Sequence, residues 1–204
     1  PGLTILESEG RAVGPLDSLV LDHLLRATGD AVWVDSGDHA TTRNLARLAP
    51  SPSLLERIRV ARGFTAYQGF SLVERLCASF PPTASFVVVP WVDALYREGD
   101  ISDAESAQML GTVAQRLEVL AETHEMPVVV TRREADELTH PFDACASRTI
   151  SCQATRFGPR FVGEGFETLV YKDGQAVQTT RAFWAHVLDH RQAMHTDVST
   201  PGVV

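Results

Sequence analysis

Residues 3–25 read LTILESEGRAVGPLDSLVLDHLL, and the fold turns on how this stretch is parsed. The apolar run around Leu3 and Ile5 reads as a short buried strand. Gly10 and Gly14 mark a turn, after which Leu16, Leu19, Val20 and Leu24 recur at helical spacing. Strand, glycine turn and helix is the architecture that holds phosphate, because backbone N–H groups and the positive end of the helix converge there. The chemistry asks for more. The pattern G-x-x-x-x-G-K-[ST] uses its lysine to neutralise the outer phosphates and its hydroxyl to hold magnesium. In the best register Glu9 stands at the first glycine, Gly14 at the second, Pro15 at the lysine and Leu16 at the hydroxyl. Proline has no N–H to donate, and a glutamate repels phosphate. A nucleotide scaffold is expected here without its chemistry, and any residual contact would fall to Gly10, Gly14, Pro15 and Leu16.

Working outward, residues 31–35 (AVWVD) predict a second buried strand, and Asp38 or Thr41 would cap a helix that stops at Pro50. Ser51-Pro52 is a helix start. Residues 57–62 (RIRVAR) alternate Ile58 and Val60 with arginines, as in a strand with one wet side or at a sheet edge. A helix is expected over 71–79, then a break at Pro81-Pro82. The run FVVV at 86–89 and PVVVT at 127–131 predict buried strands. Between them Ser102-Asp103-Ala104-Glu105 is a capping box that opens a long helix to Thr123, with Ala107, Leu110, Val113, Ala114, Leu117, Leu120 and Ala121 on one stripe. Strand and helix alternate as far as Thr131, which implies a parallel sheet with helices on both faces. Residues 132–147 read as a charged loop. Strands are expected over 148–155, 166–172 and 175–181, the last two joined as an antiparallel hairpin at Asp173-Gly174, with a short helix over 182–190. The expected organisation is one domain, 1–190, followed by a flexible tail, 191–204.

Composition narrows the function classes. A formal net charge of −8 argues against general binding to nucleic acid or anionic membranes. Of the 18 basic residues 17 are arginine, Lys172 being the exception, a bias that fits a GC-rich or salt-adapted source. Cys77, Cys145 and Cys152 are too few for a disulfide framework, so a reducing cytoplasm is expected. The sequence has no 18-residue apolar run, and no membrane span or leader is expected.

Four stretches then resemble the ATPase core of the RecA/RadA recombinase family, in the right order and spacing. Residues 32–49 (VWVDSGDHATTRNLARLA) resemble its second strand and helix, and 54–76 (LLERIRVARGFTAYQGFSLVERL) its third strand and the helix after it. SFVVVPWVDALYRE at 85–98 resembles the Walker B strand, and MPVVVTRR at 126–133 the strand beyond the long helix. The resemblance covers about residues 3–190 and implies a RecA-like P-loop fold, plausible for an archaeal, haloarchaeal chain. It also implies which positions should act, and these depart one by one. Pro90 stands where magnesium should be held, with Asp93 three residues on as a shifted substitute. Gly37, next to Asp38, stands at the catalytic glutamate, and Arg132 and Arg133 replace the polar pair that senses the γ-phosphate. Phosphoryl transfer is positioning plus charge stabilisation, so these losses leave no mechanism. The resemblance thus implies a pseudo-ATPase with no catalytic residues, needing neither ATP nor magnesium, that binds a protein partner or forms a homo-oligomer beside recombination or DNA repair.

Two rival readings keep specific residues. A weak nucleotide binder would use Asp93 and the altered loop. A single-stranded nucleic-acid binder would use Arg132, Arg133, Arg148, Arg156 and Arg160, with Phe157 and Phe161 stacking on bases. Interleaved Glu134, Asp136, Glu137 and Asp143 nearly cancel that charge, which favours a solvated loop. His186, His190 and His195, like Cys145, Cys152 and His140, lack a standard metal-ligand spacing and imply no metal site. Ser36 beside Asp35 and His39 is no triad on adjacency alone. Phe64, Tyr67 and Phe70 cluster around Gly63 and Gly69, and any exposed subset is a candidate partner surface.

Overall fold

A computed structural model describes residues 1–8, 13–36, 40, 42–98, 101–156, 158–173 and 176–179. The chain is an α/β protein whose contacts gather into two units, Pro1–Cys152 and a second that begins at Gln153.

The first unit holds β1 (Gly2–Ser8), α1 (Val13–Arg26), β2 (Asp30–Asp35), α2 (Thr42–Leu48), α3 (Pro52–Leu55), β3 (Ile58–Arg62), α4 (Ala66–Ala78), β4 (Ala84–Val89), α5 (Asp103–Thr123), β5 (Pro127–Val130) and α6 (His140–Cys145). β6 (Arg148–Thr155) starts in this unit and carries the chain into the next. The strands run β3-β2-β4-β5-β1-β6, every pairing parallel. β-Branched residues dominate because each central strand is covered on both sides. One cross-strand row, Val32, Val87, Val128 and Leu3, faces α4 and α5; the next row, Trp33, Val88, Val129 and Thr4, faces the opposite side, where α1 lies. His23 of α1 stacks on Phe86 at 4.8 Å between ring centroids, which marks that second face.

Helices α4 and α5 start where a side chain supplies an acceptor for a free N–H group. Ser102 accepts from Glu105 N at 3.3 Å to open α5, as its capping box predicts. Thr65 accepts from Gln68 N at 3.2 Å, so α4 begins at Ala66, five residues before the expected start at Ser71. Within α5 the buried stripe takes Ser106 rather than Ala107, which is exposed; the Ser106 hydroxyl is satisfied by donating to Tyr96 O at 3.0 Å. α6 lies in the stretch read as loop: Pro141 falls in its first turn, where no N–H is missed, and Phe142 anchors it in the core.

In the second unit β7 (Gly158–Gly163), β8 (Phe166–Asp173) and β9 (Ala176–Thr179) pair antiparallel in sequence order. The hairpin of β8 and β9 is as expected, while β7 was not anticipated. The expected helix over 182–190 and the tail over 191–204 lie outside the described residues. Among the described residues no helix is long and apolar enough to cross a membrane.

Candidate functional site

Open α/β sheets bind ligands beyond the carboxyl ends of their strands. At that end of this sheet the segments after β2, β4 and β5 are tied together by hydroxyls. Ser36 donates to Pro90 O at 2.8 Å or Trp91 O at 3.0 Å, and Thr131 Oγ1 accepts from Trp91 N at 2.8 Å. Between these clamps Trp91 adopts φ 45°, a left-handed conformation that costs a side-chain-bearing residue about 1–2 kcal/mol. The Arg133 guanidinium lies over its ring, 5.2 Å from the centroid.

Two partly buried arginine networks fill the rest of this edge. Asp93 is fully buried; Oδ2 accepts from Arg97 Nε at 2.6 Å and Oδ1 from Arg133 N at 2.8 Å. Arg97 also grips Asp136 with two parallel bonds of 2.8 and 2.9 Å, and this pairing holds the Asp136 carboxyl down at about 2. Arg132 is the second hub. Its side chain is 9% exposed, donating to Asp143 Oδ1 at 2.9 Å and to Glu7 Oε1 at 2.7 Å. Burial works against its charge, but the two carboxylates outweigh it and push its pKa up.

The residues expected to touch nucleotide are dispersed. Gly14, Pro15 and Leu16 fall in the first turn of α1, which starts at Val13, and Leu16 is buried in the core. Gly10, Glu9, Gly37, Asp38 and His39 lie outside the described residues. Asp93 is near the sheet's carboxyl edge, with its two oxygens already engaged by Arg97 and Arg133 N.

The five arginines weighed for nucleic acid divide between the units. Arg132 is tied to carboxylates, Arg133 is exposed over Trp91, and Arg148 is exposed and donates to Pro1 O at 3.2 Å. In the second unit Arg156 is exposed, whereas Arg160 pairs with Glu167 at 2.8 Å and donates to Gln153 at 3.1 Å. Phe161 is buried rather than presented for stacking, because β7 turns it inward. Phe157, His186, His190 and His195 lie outside the described residues. No group of three or more metal-ligating side chains occurs among the described residues.

A different surface emerges at the other end of the strand order. β3 is the edge strand, bonded only to β2 among the described residues. Ala31 N donates to Arg57 O and Gly63 N to Asp35 O, so residues 57, 59, 61 and 63 turn their backbone groups toward β2. By alternation, residues 58, 60 and 62 point theirs outward. α4 sits over β2 and leaves two adjoining hollows beside β3, of about 390 and 340 Å3, which share Leu72 and Arg75. Ala61 and Val60 line the one along the strand; Phe64, Tyr67 and Gln68 line the one at its end.

The end of this groove carries two exposed aromatics, Phe64 at 72% and Tyr67 at 53%, while Val60, 49% exposed, pairs with Trp33 and turns its side chain to the sheet's other face. Of the three aromatics singled out in the sequence, Phe70 packs against the core and the other two face out. Phe64 is displayed by a tight strand-to-helix joint. A Cβ on Gly63 would lie 2.9 Å from Gly69 N, so only glycine permits that approach. Tyr67 is braced by donating to Glu105 Oε1 at 2.7 Å. Sequence reasoning noticed the aromatics and allowed β3 either one wet side or an edge position, but did not find the groove, which depends on where α4 lies across the sheet.

No known family model matches the chain, and no curated protein matches it.

Proposed function

We propose that this chain is a non-catalytic protein of RecA-like fold that acts by protein binding or self-assembly, beside recombination or DNA repair. The observation that carries the reading is the edge of β3. A strand edge left unpaired among the described residues, flanked by an apolar groove and exposed aromatics, offers main-chain hydrogen bonds and side-chain pockets together. A sheet edge left this open is a liability for a solitary protein and an asset for one that docks.

The carboxyl edge supports the non-catalytic half of the reading. A magnesium ion at Asp93 would have to displace Arg97 from a fully buried carboxylate. At the altered loop, Pro15 offers no N–H and Leu16 is committed to the core. The parallel strand order β3-β2-β4-β5-β1-β6, with α1 on one face and α4 and α5 on the other, is compatible with the RecA-like assignment, which rests otherwise on the four sequence stretches.

A photo-crosslinking residue at position 60 tests the docking half, with position 119 on the exposed side of α5 as control. Crosslinks from position 60 alone, either to a second copy or to a partner in source-cell extract, are expected. Equal or absent crosslinking at both positions would contradict the reading.

A further inference from the structure

The groove beside β3 has a chemical signature that goes beyond the presence of an open edge. Around it the arginines are accounted for: Arg59 pairs with Asp30 at 2.8 Å, Arg62 with Asp35 at 2.9 Å and Arg116 with Glu74 at 3.2 Å. Arg57 donates to Leu24 O at 2.8 Å and Ala27 O at 2.6 Å. Arg75 differs. It lines both hollows, is exposed, and among the described residues its guanidinium has no carboxylate, carbonyl or ring partner. An arginine carries five N–H donors in a rigid fork suited to a carboxylate. This one stands where an incoming strand would lie, on a chain whose net charge of −8 makes an unneutralised cation uncommon.

Apolar and polar features of the groove fit one kind of occupant. Residues 58, 60 and 62 offer backbone groups to an extended segment. Small Ala61 lies low beside Leu72, leaving room for a bulky apolar side chain between strand and helix. Arg75 then faces the segment from the helix side. From these observations, and resting on the docking reading above, we infer that the groove takes an extended acidic segment of a partner protein. That segment adds to β3 as a strand, seats an aromatic or branched apolar side chain against Leu72, and places a carboxylate on Arg75. The same complementarity makes a basic segment the wrong partner, so Arg75 selects as well as binds.

Two fluorescent seven-residue peptides test this on the whole chain by anisotropy: Glu-Thr-Val-Phe-Val-Thr-Glu, and the same peptide with lysine in place of both glutamates. The acidic peptide is expected to bind roughly tenfold tighter, with a preference that shrinks as salt is raised. Arg75→Glu should reverse the order of the two peptides while the chain stays folded, since the side chain is exposed and its change costs only the favourable charge at the end of α4. Equal affinities would overturn the charge assignment and leave strand docking standing. Failure of both peptides would overturn the inference, and if position 60 also gave no crosslink, the docking reading would fall with it. Light scattering supplies the remaining outcome: a dimer of the chain that Arg75→Glu dissociates would replace the partner segment with a second copy.

Discussion

Asp17, on α1, is fully buried with Oδ2 accepting from Asn44 Nδ2, and among the described residues Oδ1 has no partner. Burial pushes its carboxyl from an ordinary 3.8 up to about 6, against the smaller opposing effects of Asn44 and Arg47. The folded state therefore holds this proton more tightly than the unfolded chain. Its stabilisation is complete below pH 3.8 and is lost as pH rises through about 6. Asp17→Asn should match the wild type near pH 4 and exceed it at pH 7.5, by up to roughly 3 kcal/mol in urea unfolding. A difference independent of pH would contradict the burial of the charge. Arg97 makes the opposite case: truncating it strands the Asp93 carboxylate without its counter-charge. Arg97→Met should cost about 3–5 kcal/mol, whereas Arg160→Met, which breaks a solvent-exposed pair, should cost far less. Equal losses in the two variants would mean that burial does not set the cost. Pairings of this kind are invisible in a linear chain. Asp93 was legible as a carboxylate near the end of a buried strand, but Arg132 and Glu7 meet only because β1 and β5 are neighbours in the sheet.

At the level of elements, α5 and the joint between β3 and α4 matter most. α5 lays Leu110, Val113, Leu117 and Leu120 across the face shared by β4, β5 and β1, and Leu117 is fully enclosed. Leu117→Ala should lower stability by about 2–5 kcal/mol, because the sheet beneath is too regular to collapse into the void. The β3–α4 joint is a backbone contact rather than a side-chain one. Gly63→Ala must push Gly69 away, which should cost about 1–3 kcal/mol and weaken crosslinking from position 60 more than Leu117→Ala does. Full crosslinking in Gly63→Ala would show that the groove does not depend on this approach. Periodicity and capping made α5 readable almost to the residue, since Ser102 and the apolar stripe act locally. α4 began earlier than its apolar face suggested, because Thr65 caps a first turn whose outward Tyr67 and Gln68 carry no hydrophobic signal. β7 was missed for a related reason: Gly158, Pro159 and Gly163 resemble turn punctuation, and the strand is held by pairing to β8.

For the molecule as a whole, alternation of strand and helix up to Thr131 was enough to expect a parallel sheet covered on both faces, because each crossover must return over the sheet. It could not reveal which strand ends the sheet, and that position decides where a partner can add. β3 holds it, with the groove alongside. We propose that this edge is the functional one, that the carboxyl edge is structural, and that nucleotide plays no part. A thermal-shift titration with ATP and magnesium, beside an active RecA-family protein as control, tests it most directly. Any ligand specific for the native state must raise the melting temperature, so the account predicts no shift at millimolar nucleotide. A shift of several degrees, abolished by Asp93→Ala, would contradict it.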